Sequence, residues 1–250
     1  MAGHSKWANI KHRKGAQDKK RGAIFTKLIR EITVAAKQGG GDPSANPRLR
    51  TAINKARSHN MPNDNIDRAI KKGTGDMDGV VYEEIRYEGY GPAGVAIMVD
   101  TLTDNKNRTG PEIRSSFSKN GGNMGDPGCV GYMFDRKGII AIEANQTNED
   151  DVMELLMDYD IEDIKTEEDG VIEVTTAPEA FNEVSEALQS KEYKLTMNEV
   201  TMIPQTTVAL DEQKAEKTMK LIEILEDLDD VQNVYSNADI PDEIMEKISG

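Results

Sequence analysis

Seven cations stand within sixteen residues near the start of the chain, and one acidic residue, Asp18, opposes them. Lys and Arg at this density neutralise phosphate groups and release counterions, which gives nucleic-acid binding with a steep dependence on salt. A solvated run of charge is the alternative interpretation. We predict nucleic-acid contacts for the whole set, which comprises Lys6, Lys11, Arg13, Lys14, Lys19, Lys20 and Arg21.

An aromatic residue and two histidines lie in the same polar stretch. Trp7 is the only tryptophan of the chain, and its indole can stack on an unpaired base or pack with Ile10 against a folded part of the protein. The sequence leaves both options open for Trp7. His4 and His12 can contact phosphate or RNA, but they lack companions at the spacing of metal ligands. We place Trp7 and His12 among the predicted nucleic-acid contacts.

Charge is divided unevenly along the chain. Residues 1–75 hold 17 Lys and Arg against 5 Asp and Glu, whereas the rest holds 14 basic and 40 acidic residues, for a net charge of −14 overall. This asymmetry predicts a nucleic-acid-binding module attached to an acidic body. The segregation also weighs against a merely solvated basic run.

Three helices are predicted to follow the basic arm. Apolar residues recur at spacings of three and four over 16–37, Asn46 and Pro47 mark the start of a second helix, and a third begins near Asn63. They predict a small bundle with a basic exterior. The cations on this bundle that we expect to contact nucleic acid are Lys27, Arg48, Arg50, Lys55 and Arg57.

A second, weaker basic feature lies at a predicted strand-to-helix junction near 104. Asp104 or Thr103 is expected to cap the helix, and free amide groups with nearby cations can bind an anion. Ordinary capping and surface polarity are the alternative, and taken alone this feature favours that alternative. The residues of the possible anion contact are Lys106, Asn107 and Arg108.

Motifs of catalysis are lacking from the sequence. It has no nucleophile elbow and no H-E-x-x-H motif. The glycine-rich stretch 121–128 lacks the Gly-Lys-Ser/Thr residues that end a P-loop, and we expect it to be a flexible loop. The single cysteine, Cys129, excludes an internal disulfide and a cysteine-rich metal site. We therefore expect no enzyme activity, no metal, no cofactor and no small-molecule substrate. A hydrolase or nuclease that uses His4, His12 or Asp104 stays the alternative.

The order of predicted elements indicates the fold class. After a linker at 74–79, strands and helices alternate, and 139–203 follows the order β-α-β-β-α-β of a split βαβ unit. We predict an α+β protein: an N-terminal three-helix bundle plus two ferredoxin-like α/β domains, the third domain inserted into the second. The predicted boundaries are 1–21 for the basic arm, 22–75 for the helical bundle domain, 80–130 plus 204–240 for the discontinuous α/β domain, and 131–203 for the inserted α/β domain.

Several long stretches resemble the YebC family. They are MAGHSKWANIKHRK at 1–14, MPNDNIDRAIKKGTG at 61–75, YEGYGPAGVAIMVDTLTDNKNRT at 87–109, FSKNGGNMG at 117–125 and FDRKG at 134–138. The sequence departs from the family pattern at Cys129, where serine is expected, and at Gly131 and Tyr132, where a bulkier aromatic pair is expected. The resemblance implies three domains, the first of them helical, and a role linked to nucleic acid.

Two versions of that role follow from the resemblance. One is a translation factor associated with the ribosome, with rRNA or tRNA as its partner, and the other is a transcriptional regulator that binds promoter DNA. We favour the first, because the arm has the character of a single-strand or rRNA binder and the third helix carries a mixed face with Asp64, Asp67 and Arg68. No apolar run is long enough to cross a bilayer, so we expect a cytoplasmic protein without a membrane partner. The oligomeric state is left open.

Overall fold

The computed structural model describes residues 21–75, 82–167 and 170–249. It contains an N-terminal helical bundle followed by two four-stranded antiparallel sheets with helices packed on them. The predicted α+β class is therefore confirmed. The predicted domain boundaries stay predictions.

The bundle consists of helices α1 Arg21–Gly39, α2 Pro47–Ser58 and α3 Asn63–Thr74. The side chain of Asn46 accepts a hydrogen bond from the Leu49 amide at 3.1 Å, and Pro47 needs no hydrogen-bond acceptor in the first turn. Apolar side chains at helical spacing then meet in one core. Its buried members are Leu28, Ile32, Ala35, Ala36, Leu49, Ala52, Ile53, Ala56, Met61, Ile66 and Ala69.

Ten strands and five α-helices follow the bundle among the described residues. In chain order they are β1 Glu83–Tyr90, β2 Ala96–Thr103, α4 Lys106–Lys119, β3 Asn123–Met124, β4 Phe134–Ile142, α5 Glu149–Leu155, β5 Ile161–Thr166, β6 Ile172–Thr176, α6 Phe181–Gln189, β7 Leu195–Pro204, β8 Val208–Ala209, α7 Glu212–Glu226, β9 Val231–Ser236, β10 Ala238–Asp239 and α8 Asp242–Ser249.

The first sheet joins two parts of the chain that are distant in sequence. Its strand order is β3-β1-β2-β9, and β2 pairs with β9 although all of β4 to β7 lie between them in sequence. Ile97 and Val99 of β2 pack with Phe117 of α4 and with Leu221 and Leu225 of α7 in one buried cluster. The burial of these side chains provides the driving force that holds the two parts together.

The second sheet has the order β5-β6-β4-β7, with every neighbouring pair antiparallel. This is the strand order of a split βαβ unit. Ile140 and Ile142 of β4 pack against Val152 of α5 and Val184 and Leu188 of α6. The alternation of the predicted elements over 139–203 therefore corresponds to one packed α/β layer.

The end of the chain differs from the prediction. Val208–Ala209 form a two-residue strand that pairs in parallel with β10 as a separate two-stranded sheet, apart from the two large sheets. Helix α8 was not predicted. Its Met245 is fully buried in the core of the first sheet, and Ile244 and Ile248 pack against that core. The spacing of these three residues is the signal in the sequence that would have indicated the helix.

The glycine-rich loop is anchored, contrary to the expectation of a flexible loop. The carboxylate of Glu88 accepts hydrogen bonds from the amides of Gly128 at 3.0 Å, Val130 at 2.8 Å and Gly131 at 2.6 Å. Burial of Glu88 acts to raise its pKa, but the three amide donors outweigh it, and the pKa lies below the ordinary value. A side chain on β1 thus fixes the connection that leads out of the first sheet.

Candidate nucleic-acid interface

Most of the predicted basic arm lies outside the described residues. Arg21 is the first of the described residues and belongs to α1. The predicted contacts that fall outside the described residues are Lys6, Trp7, Lys11, His12, Arg13, Lys14, Lys19 and Lys20. They stay predictions from the charge pattern.

Two of the five predicted bundle cations face the acidic body. The ammonium group of Lys27 donates to the carbonyl oxygen of Glu226, and burial lowers the pKa of this lysine. The guanidinium of Arg48 contacts Glu31 at 2.7 Å and Glu84 at 2.5 Å. Burial acts to lower the pKa of Arg48, but its hydrogen bonds to the two carboxylates outweigh this and raise it. These contacts occupy both cations within the molecule.

The other three cations of the set lie on α2 and form no ion pair with the described parts of the chain. Lys55 and Arg57 are exposed, and Arg50 is half-buried with one weak contact, 3.5 Å from its guanidinium to the carbonyl oxygen of Pro43. On a helix with 3.6 residues per turn, Arg50 and Arg57 project roughly opposite to Arg48. Because Arg48 faces the body, Arg50 and Arg57 face away from it.

Arg50 and Arg57 also border a shallow depression of about 390 Å³. Positions 50, 54 and 57 lie on one face of α2, which explains why these side chains converge. Guanidinium planes bind phosphate and stack on bases, while apolar, hydroxyl and amide groups suit the faces and edges of an unpaired base. The lining residues are Pro43, Ser44, Arg50, Ile53, Asn54 and Arg57.

Four of these lining residues were not predicted from the sequence. Asn54 lies at helical spacing from both arginines, which is a signal that the sequence contains. Pro43 and Ser44 belong to the turn before α2, where Ser44 donates to the Asp42 carboxylate at 2.8 Å. Ile53 is almost completely buried in the bundle core and shows only its edge to the depression.

The possible anion contact near 106 is occupied by carboxylates of the protein. The guanidinium of Arg108 lies 2.6 Å from Asp230 and 2.9 Å from Asp104, and Lys106 lies 3.6 Å from Glu83. Asn107 is exposed. The anion contact stays a prediction, and any anion there would compete with these carboxylates.

The expected cap of α4 is wrong. Neither Asp104 nor Thr103 caps the helix; the side chain of Asn105 accepts from the Arg108 amide at 3.2 Å. Thr103 accepts from the Asn105 amide and donates its own hydroxyl to Asp230. The cap therefore lies one position later than Asp104, because Thr103 and Asp104 are used by the network around Asp230.

Asp230 is the centre of the contact between the bundle and the body. Its carboxylate accepts from Thr103 at 3.0 Å, from Thr109 at 2.6 Å and from Arg108 at 2.6 Å. Arg30 of the bundle lies 2.9 Å from the other carboxylate oxygen. Burial acts to raise the pKa of Asp230, but these donors outweigh it, so the pKa lies below the ordinary value.

Arg30 extends this contact to the backbone of the body. Its guanidinium donates to the carbonyl oxygens of Leu102 at 2.8 Å and Asp229 at 3.0 Å, and it lies 5.4 Å from the ring centre of Tyr82. The body thus forms hydrogen bonds and ion pairs with the cations on one side of the bundle. Arg50 and Arg57 at the depression on α2 have no such partner among the described residues.

Two further properties concern the described part of the chain. It contains no group of three or more His, Cys, Asp or Glu side chains arranged to hold a metal ion. None of the helices within it has the length and apolar character needed to cross a membrane.

Comparisons with known proteins cover nearly the whole sequence. Two family descriptions match: "TACO1/YebC protein N-terminal domain" over residues 5–76, and "TACO1/YebC second and third domain" over 82–238. A protein of Trichlorobacter lovleyi named "Probable transcriptional regulatory protein" is 59% identical over 99% of this chain and 100% of its own. One of the same name from Treponema pallidum is 56% identical over 98% of this chain and all of its own.

A solved structure supports the same relationship. It is the crystal structure of a conserved hypothetical protein from Aquifex aeolicus, with 48% sequence identity to this chain. The superposition has a TM-score of 0.77 and covers 89% of this chain and 91% of the other.

Proposed function

This chain belongs to the TACO1/YebC family, and from that premise we propose that it is a non-enzymatic regulator of gene expression that binds nucleic acid through its N-terminal quarter. The cationic face of α2 is the observation that carries the proposal. Arg50 and Arg57 share this face and have no carboxylate partner among the described residues, and Lys55, also unpaired, projects towards the side of Arg48. Lys27 is held by the body, and Arg48 by Glu31 of α1 and Glu84 of β1. Cations without carboxylate partners on α2, in the same N-terminal quarter of the sequence as the basic arm, are suited to phosphate contacts.

The finer proposal is a cytoplasmic translation factor that binds RNA on the ribosome. The depression beside Arg50 and Arg57 supports RNA, because two arginines beside a recess suit the stacking and edge contacts of an unpaired base, which a base inside a duplex does not offer. Helix α3 begins with Asp64 in its first turn. A carboxylate there would repel the phosphates that flank a major groove.

A transcriptional regulator that binds promoter DNA is the second candidate function. The observation in its favour is the name of the two relatives described above, "Probable transcriptional regulatory protein". It requires sequence readout, which should bind one promoter fragment far more tightly than random duplex.

A competition experiment separates the two candidates. Labelled single-stranded RNA, random duplex DNA and fragments that tile the promoters of the source genome are titrated with the full chain at several salt concentrations, and ribosomes are sedimented with it in parallel. We expect RNA binding and co-sedimentation that high salt abolishes. One promoter fragment bound at least about a thousandfold more tightly than random duplex would instead establish the DNA-binding function. The same gels report RNA cleavage, which would contradict the non-enzymatic part of the proposal.

The depression is tested by the double substitution Arg50→Ala and Arg57→Ala. Loss of one stacking contact and one phosphate contact should weaken binding of single-stranded RNA roughly 10- to 100-fold, since a stacked base contributes about 1–3 kcal/mol. Duplex binding should change less. The matched control is Arg114→Ala with Arg136→Ala, which removes two exposed arginines from the body. Equal losses in the two double variants would show that net charge, not the depression, determines binding.

A further inference from the structure

The inserted α/β layer carries a cluster of exposed apolar side chains. Five large hydrophobic residues are exposed in the described chain, and three of them fall between 153 and 159: Met153 at 51%, Met157 at 73% and Tyr159 at 37%. Single exposed apolar residues are common, whereas a cluster of them on a surface marks a contact with a partner.

These side chains do not contribute to the core beneath them. Val152 directly precedes Met153, and Leu156 directly precedes Met157. Both Val152 and Leu156 are completely buried in the core of the inserted layer. The side chains of Met153 and Met157 therefore project from the outer side of the fold into solvent, where their exposed surface adds no folding stability. Methionine is flexible and polarisable, which suits it to contacts with partners of varied shape.

The surroundings of the three residues are strongly acidic. Residues 149–163 contain eight Asp and Glu and no Lys or Arg. Of these eight, only Glu162 forms an ion pair with a described residue, to Lys137 at 2.7 Å. We call the acidic methionine surface the set Asp150, Met153, Glu154, Met157, Asp158, Tyr159 and Asp160, all of which are exposed.

We propose that the acidic methionine surface docks a basic amphipathic segment of a partner protein. Apolar side chains of such a segment would cover Met153 and Met157, and its Lys and Arg would meet the surrounding carboxylates. The carboxylates repel nucleic acid, so RNA does not fit this surface. The proposal depends on residues 149–163 alone and is independent of the proposed function of the basic end.

The neighbouring sheet edge favours a helical segment over an added strand. Strand β5 is the edge strand of its sheet. It carries exposed Glu162 and Asp163, and its pairing with β6 shifts register between Ile161 and Asp163. Charges and irregular pairing on an edge strand discourage strand addition. A partner helix with one apolar and one basic face meets both features of the surface.

The test uses a synthetic helix-forming peptide with leucines on one face and lysines on the other, and a scrambled peptide of the same composition. Both are titrated against the full chain at moderate salt by fluorescence anisotropy. The first variant, Met153→Ser with Met157→Ser, removes the apolar part; the second, Glu154→Gln with Asp158→Asn, removes charge. The matched control is Glu216→Gln with Glu223→Gln, two exposed carboxylates of α7.

We expect each of the two surface variants to weaken binding of the amphipathic peptide about tenfold or more, and the control less than twofold. The scrambled peptide should bind weakly to all four proteins. Equal binding of the two peptides, or an unchanged affinity in the methionine variant, would overturn the proposal. Binding of labelled single-stranded RNA that either surface variant weakens and the control variant does not would also overturn it, in favour of nucleic acid.

The same peptides and variants distinguish two other possible occupants of the acidic methionine surface. Peptide binding that appears only after deletion of residues 1–20 would assign the surface to the chain's own basic arm and contradict the proposal. Sedimentation that shows a dimer in the parent chain and a monomer in the methionine variant would assign it to a second copy, with the same consequence. Unchanged thermal unfolding of all variants, expected for exposed positions, verifies that they are folded.

Discussion

Replacement of Asp230 by alanine is expected to lower the free energy of unfolding by about 3–5 kcal/mol, because it removes the acceptor of a buried charge network. The side chain is only 3% exposed and accepts from two threonine hydroxyls and the guanidinium of Arg108, with Arg30 beside it. Without the carboxylate, the buried Thr103 hydroxyl loses its acceptor, and Arg108 and Arg30 keep only Asp104 and two backbone carbonyls. Urea denaturation followed by circular dichroism measures the loss.

The neighbouring residue provides the control. Asp229 is exposed, and it contributes its backbone carbonyl, not its side chain, to Arg30. Asp229→Ala should therefore change the free energy of unfolding by no more than about 0.5 kcal/mol. Similar losses in the two variants would mean that Asp230 contributes surface charge only, and the docking of the bundle would need another explanation.

The same network makes the protein sensitive to acid. The folded pKa of Asp230 is lowered, so its stabilising effect is complete well above the ordinary aspartate pKa of about 3.9 and is lost as the pH falls through the folded value. Asp230→Asn removes this titration. The difference in stability between the parent chain and Asp230→Asn should therefore shrink steadily below about pH 4.

Reversal of three charges in the arm, Lys11→Glu, Arg13→Glu and Lys14→Glu, is expected to abolish nucleic-acid binding at moderate salt, a loss of at least about a hundredfold. Each lost phosphate contact on a single strand reduces the slope of log K against log salt by about 0.7, and each new carboxylate adds repulsion. The slope should therefore become shallower by about 2. Filter binding across a salt series measures the affinity and the slope together.

A triple variant of the body matches this change in net charge. Lys214, Lys217 and Lys220 are exposed on α7, and their replacement by glutamate reverses the same number of charges far along the chain from the arm. If charge segregation is the cause of binding, this control should retain most of the affinity. A comparable loss in the control would show that the total charge governs binding and that the arm has no special part in it.

The helices of the bundle could be predicted because their signals are local. Asn46 and Pro47 mark the start of α2, and apolar residues at spacings of three and four define the buried faces. The docking of the bundle could not be predicted in this way. Arg30 and Asp230 are 200 positions apart in sequence, and nothing near either residue indicates the pair.

The burial of Asp230 could not be predicted from its local sequence either. It follows Asp227 and Asp229 in a run of acids that, by composition, favours a solvent-exposed segment. Burial of one member depends on Thr103, Thr109 and two arginines that converge only in the folded protein. On α2, by contrast, the free cations were predicted, and only their division into paired and unpaired sets required the structure.

In α7, the periodicity of apolar residues predicts the helix correctly but predicts its buried face only in part. The apolar stripe at 219, 222, 225 and 228 indicates a helix with one buried side. The core instead contains Ala215, Leu221, Ile222 and Leu225. Met219 and Leu228 are only partly buried against it. The buried face is broader than the stripe because α7 packs against α4, β9 and α8 together.

The pairing of β2 with β9 has a consequence for folding during synthesis of the chain. On the ribosome, β2 emerges with β1 but must wait for its other neighbour until all of β4 to β7 has been synthesised. During that interval the nascent chain presents an open hydrogen-bonding edge beside apolar Ile97 and Val99. Two chains made close together can satisfy that edge by exchanging their C-terminal strands, which yields an intertwined dimer whose sheets are each locally native.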